Sequence, residues 1–184
     1  METHHLLQRE EAHAKKEVRP DHAIHILCLL PLFLTEVVSW KRRAMTHPPY
    51  ETFEHTADIG LHAYGQTLPE LFRNAAAGME SLMVAPAQIE ARVSREVSAE
   101  GHDLVALLIA WLNELIFLFD TDYLLLNQFE ISDFTATSLR ATVSGEPYNS
   151  ERHDLSSAIK AVTWHEAEVR SEATGYQARI IFDI

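Results

Sequence analysis

From Ile59 to Gly65 apolar and polar positions alternate. Ile59, Leu61 and Ala63 take one face and His62 and Tyr64 the other, the period of two expected of a half-buried strand. The period then changes. Leu68, Leu71, Phe72, Ala75, Met79, Leu82 and Met83 recur at helical spacing, one apolar face against a core. Thr67-Leu68-Pro69-Glu70 is its start signal: Thr67 can cap, Pro69 is tolerated in the first turn, and Glu70 completes a capping box. A second helix is expected from Asp103 to about Phe119. Leu104 to Leu112 are apolar all round, with Asn113 and Glu114 the first polar interruption, so this helix should be buried on most sides; it reads as too short and too interrupted to cross a membrane.

The remaining pattern reads as strand. Val93 and Val97 mark one stretch and Phe129 and Ile131 another, while Leu139, Ala141 and Val143 alternate with Arg140 and Thr142 until Gly145 ends the run. Lys160 to Val169 reads as two short strands or one bent strand. The chain closes with Ala178, Ile180, Phe182 and Ile184 on one face and Gln177, Arg179, Ile181 and Asp183 on the other. Two helices among many strands, without strict alternation, predict a single α+β domain of mostly antiparallel sheet.

Residues 1–44 do not share this organisation. The first 22 are polar and charged without a period, and the apolar run from Ile24 to Leu34 is interrupted by His25 and Pro31. That run is shorter than the roughly 20 apolar residues of a membrane helix. It also starts too late, after several acids, for a secretory signal. The expectation is that translation starts at Met45 and that 45–184 is the domain, with a weak membrane-surface anchor in 1–44 as the alternative.

Charge sharpens the division. Residues 45–184 hold 8 of the 15 Lys+Arg and 21 of the 27 Asp+Glu. Such an acidic domain repels phosphate backbones, which disfavours direct nucleic-acid binding and favours basic proteins or metal ions, although the same charge also serves plain solubility. Cys28 is the only cysteine, so a disulfide framework, a zinc-thiolate site and a Cys nucleophile are excluded from the core; a reducing cytosol fits.

Familiar catalytic signatures are missing. Gly60 and Gly65 are isolated and suit strand ends, there is no Gly-x-Ser-x-Gly elbow, and Val169 stands where a zinc-protease helix beginning at His165-Glu166 would need its second His. Two places remain. His55-Thr56-Ala57-Asp58 gathers an imidazole, a hydroxyl and a carboxylate at the opening of a strand, which suits a turn as well as a site. At the other end, Asp183 precedes the terminal carboxylate of Ile184 on an apolar strand that should hold both still. With Asp58, these would make three hard oxygen donors, fitting calcium or magnesium better than zinc. Bringing Asp58 to Asp183 requires the fold.

From Tyr50 to Ile184 the chain resembles the archease family. The matching segments are His55-Thr56-Ala57-Asp58-Ile59-Gly60, Thr67-Leu68-Pro69-Glu70-Leu71-Phe72, Leu107 to Leu115, Gly145-Glu146, Ile159 to His165 and Phe182-Asp183-Ile184. The resemblance implies a small cytoplasmic, non-catalytic accessory protein of the GTP-dependent RNA ligase that joins tRNA halves or repairs RNA. In that role it promotes ligase guanylylation and multiple turnover. It further implies a divalent-metal site at Asp58, Asp183 and Ile184, with calcium, magnesium or manganese as the ion, and candidate ligase contacts at Lys160, Glu70 and His55. Lys160 reads equally as a surface charge and Glu70 as a capping acid. Two other readings stay open: a small metal-dependent phosphohydrolase with His55 as base, and a chaperone-like modulator of an RNA-modifying enzyme.

Overall fold

A computed structural model describes residues 47–55 and 58–184; the expectations for residues 1–44 and for the start at Met45 fall outside them. The elements are β1 (Tyr50–His55), β2 (Asp58–Gly65), α1 (Leu68–Met83), a 3-10 turn (Pro86–Gln88), β3 (Val93–Glu100), α2 (Leu104–Asp122), β4 (Leu124–Phe134), β5 (Ser138–Pro147), β6 (Ala161–Glu172) and β7 (Gly175–Asp183). The strands form two antiparallel sheets, one ordered β1-β2-β7-β6 and the other β3-β5-β4. Each helix packs against strands of both sheets. The result is the expected α+β domain with two main helices.

Local chemistry sets the helix ends. The Thr67 hydroxyl accepts the Glu70 N–H at 3.3 Å, while the Glu70 carboxylate accepts the N–H of Gln66 at 2.9 Å. The capping box is thus closed one residue upstream of its usual partner. In α2, Asp103 Oδ1 accepts the Ala106 N–H at 2.8 Å, and Tyr123 ends the helix in the left-handed conformation at φ 54°.

The second helix runs three residues beyond Phe119 and reaches 19 residues, so by length and composition it is long and apolar enough to cross a membrane. This corrects the reading of it as too short. Its apolar surface goes into the core instead: Leu107, Trp111, Leu112 and Leu115 have no exposed surface. Each Leu so buried contributes about 1.5–3 kcal/mol relative to exposure. Trp111 Nε1 donates to the Phe72 carbonyl at 3.2 Å, tying the helices together. Asn113 is turned to use, its Oδ1 accepting the Val162 N–H of β6 at 3.2 Å.

The first sheet has an inner face of Leu61, Ala63, Ala178, Ile180 and Phe182, all fully buried. Two features of its outer face depart from the sequence reading. Gly60 lies inside β2 rather than at a strand end. A Cβ there would come within 2.0 Å of the Phe53 ring, so the glycine makes room for that ring to lie over the sheet. Ile181, placed on the polar face by alternation, is nevertheless buried. Gly145 likewise does not end its run; β5 continues to Pro147.

Residues 161–169 belong to one bent strand, β6, and Lys160 immediately precedes it. Its pairing with β7 passes from Thr163↔Ile181 to Glu168↔Arg179, so five steps along β6 answer two along β7. The extra residues form a bulge in which Glu166 adopts φ 53°.

Candidate functional site

Strand register brings the separated carboxylates to one end of the first sheet. In β2 and β7, Ala63 pairs with Ala178, Leu61 with Ile180 and Ile59 with Phe182. Asp58 and Asp183 are the residues next beyond that last pair, each at the end of its strand. On the other side of β2, His55 pairs with Asp58. His55 and Asp58 therefore sit at the end of the sheet that carries the C-terminus.

On the far side of β7, Ala161 pairs with Asp183, and the Lys160 N–H donates to the Asp183 carbonyl at 2.9 Å. The Lys160 ammonium donates to the Ile184 carbonyl oxygen at 2.8 Å and stands 3.8 Å from Asp183 Oδ1. A cationic group thus already rests on the terminal pair of acids. Like-charged carboxylates in such proximity favour a neutralising cation. The donors are all carboxylate oxygens, the preference of hard divalent ions, and a divalent ion would compete with Lys160 for two of them. The residues fit the cation that the family resemblance implies.

His55 borders the group, its Nδ1 3.8 Å from Asp58 Oδ2. That nitrogen is buried and has no hydrogen-bond partner among the described residues. Glu70 is not brought here. It follows Gly65, at the opposite end of β2 from Asp58, about 23 Å along the strand at 3.3 Å per residue; there it faces Gln66 and, at 3.6 Å, Arg73. Of the three candidate contact residues, Lys160 and His55 adjoin the carboxylates and Glu70 does not.

The outer face leading to this end is aromatic and basic. His62 stacks on Phe53 with centroids 4.6 Å apart, and the Arg179 guanidinium lies 5.0 Å from the Phe53 ring centre. Burial, offset in part by Glu51, holds the His62 pKa below its ordinary value, with Arg179 acting in the same direction as burial.

Two buried acids escaped sequence reasoning. The Glu146 carboxylate accepts from Arg152 at 2.7 and 3.2 Å and from the Glu90 N–H at 2.8 Å, with His153 Nε2 at 3.2 Å. His153 Nδ1 accepts the Asn149 N–H at 2.9 Å, which leaves Nε2 as the protonated nitrogen that donates to Glu146. The Arg152 hydrogen bond holds the Glu146 carboxyl down at about 2. Glu80, inside α1, is pushed up to about 8 by burial, and the Leu126 N–H donates to its Oε2 at 3.3 Å. Glu146 has the outward parity of β5, and the 149–153 segment that covers it carries no period to announce the contact.

Comparison with known proteins agrees with this architecture. The Archease protein family (MTH1598/TM1083) matches residues 50–184. The archease of Methanosarcina acetivorans is 38% identical over 139 residues, covering 73% of this chain and 95% of that protein. That of Pyrococcus furiosus is 33% identical over 139 residues, covering 73% and 98%. Among solved structures, protein 1598 of Methanobacterium thermoautotrophicum aligns with a TM-score of 0.64 at 37% identity, covering 74% of this chain and 99% of its own. An archease of Thermotoga maritima, described as a possible chaperone, shares the fold with a TM-score of 0.52 at 17% identity, covering 75% and 99%. The family match, the identities and the shared fold lead to one conclusion: this chain is a member of the archease family.

Proposed function

We propose that this protein is a non-catalytic accessory factor of a GTP-dependent RNA ligase, acting in the cytoplasm to promote guanylylation of the ligase and its repeated turnover. The observation that carries the reading is the β2–β7 register, whose end pair Ile59↔Phe182 leaves Asp58 and Asp183 as the next residues on adjacent strands, with Ile184 following. Asp58, Asp183 and Ile184 would hold a divalent cation, calcium in the first instance or magnesium or manganese. When bound, such an ion supplies positive charge that neutralises phosphate oxygens in nucleotidyl transfer.

The chain's own residues define its part. Lys160 holds the C-terminal residue in place through Ile184 and Asp183. The surplus of 21 acidic over 8 basic residues in 45–184 suits docking on a basic, RNA-binding enzyme and leaves the RNA to that enzyme. The phosphohydrolase reading would need a cluster of basic side chains for a phosphate, and the basic side chain in contact with these carboxylates is Lys160.

The test is an assay of a partner RNA ligase with GTP and broken RNA, with and without this protein. Substoichiometric protein should convert a single round of ligation into many and raise the guanylylated fraction of ligase, while purified protein alone hydrolyses no generic phosphoester. Unchanged ligase turnover, or phosphoester hydrolysis by the protein alone, would contradict the proposal.

A further inference from the structure

Beside the carboxylate group, the β6 bulge brings together donors of another kind. One donor atom each from His55, His165 and Glu166 lie within 4.8 Å of one another, although the residues come from opposite edges of the four-stranded sheet. The rings of His55 and His165 are 5.8 Å apart. Regular pairing in β6 would not produce this meeting; the bulge between Thr163 and Glu168 does.

The local details are those of a site held ready. Glu166 sits at φ 53°, a conformation that costs a non-glycine residue energy and that recurs at functional positions. Arg179 pairs with Glu166 Oε2 and is itself seated over the Phe53 ring. The other oxygen, Oε1, is left 3.8 Å from His165 Nε2. An outer hydrogen bond on one oxygen and a free second oxygen is how ligating carboxylates are oriented. His55 contributes a buried Nδ1 without a hydrogen-bond partner among the described residues. Ligands at about 2.1 Å from a tetrahedral ion stand about 3.4 Å apart. The exposed side chains of His165 and Glu166 can close the remaining distance.

We infer that His55, His165 and Glu166 form a second cation site, one for a zinc-like borderline divalent ion. Two imidazoles and a carboxylate, with a fourth position open to water, are a set that such ions prefer and that calcium and magnesium do not. The site adjoins the carboxylate group but shares no ligand with it, so it stands or falls independently of the ligase reading.

Cobalt(II), a paramagnetic substitute for zinc, tests this on the full chain. Histidine ring signals are followed by NMR as Co²⁺ is added in the presence of excess Ca²⁺. The ring protons of His55 and His165 should shift together in one saturable step. His165→Ala should leave the His55 ring unmoved at the same Co²⁺ concentration, and Glu166→Gln should weaken the step about tenfold or more. Asp183→Ala should abolish calcium binding and leave the Co²⁺ shifts in place. The inference is overturned if neither ring responds, if His165→Ala leaves the His55 shift intact, or if Asp183→Ala removes it. Because the readout is resolved by residue, other histidines that take up cobalt do not obscure it.

Discussion

Glu80 is one of four polar or charged residues buried among the described residues. Its carboxyl is buried in α1 opposite one backbone N–H, and its Oε1 has no hydrogen-bond partner among the described residues. Burial raises its pKa to about 8 in the folded protein, against an ordinary value near 4.3 when unfolded. Between those values the folded state binds the extra proton, so stability falls as pH rises from about 4.5 to 8. Glu80→Gln should remove that slope and stabilise the protein at pH 8 by on the order of 3 kcal/mol. Chemical denaturation of both forms at pH 5 and pH 8 measures it; equal slopes would show that Glu80 finds a partner for its charge. Glu146 has the opposite sign. Its pKa is lowered to about 2 by Arg152, so its contribution is complete above its unfolded value and is lost as pH falls toward 2. Glu146→Gln should therefore flatten the acid limb of the stability curve while lowering stability at neutral pH, checked by thermal unfolding between pH 2.5 and 6. Neither acid was legible in the sequence. A glutamate on an amphipathic helix or on the outward parity of a strand looks solvated until distant segments close over it.

At the scale of elements, periodicity carried far. The face of β7 formed by Ala178, Ile180 and Phe182, the cap of α1 at Thr67 and the buried face of α2 were all readable from spacing. What spacing could not report is where a strand departs from its own period. The β6 bulge adds residues without a composition signal, and the β1 edge strand has no clean alternation. Gly60 shows the same limit: it looked like a strand end, yet its role is to admit the Phe53 ring of the neighbouring strand. Gly60→Ala should cost about 1–3 kcal/mol, the range for overpacking. A lowered denaturant midpoint with an unchanged slope is the expected result; an unchanged midpoint would mean that the ring has room to move.

For the whole molecule, the candidate site depended on topology. Asp58 and Asp183 are separated by nearly the length of the domain and come to the same end of the sheet because β7 returns to lie between β2 and β6. The residues were legible one by one, as a polar cluster and an acidic terminus, but their placement at one sheet end was not. The terminal carboxylate gives a whole-chain prediction: residues added after Ile184 remove one of three acidic groups and should weaken calcium binding about tenfold, whereas an N-terminal tag should not. Calorimetric titration of the two tagged forms decides it, and equal affinities would exclude the Ile184 carboxylate as a ligand. The coupling of this site to a ligase lies one step further on. Its most direct test is the rate of ligase guanylylation at substoichiometric protein, comparing the natural chain with Asp58→Ala after confirming that both are folded. Stimulation by the natural chain and none by Asp58→Ala is the expected result; full stimulation by the variant would rule out a part for this carboxylate in activating the ligase.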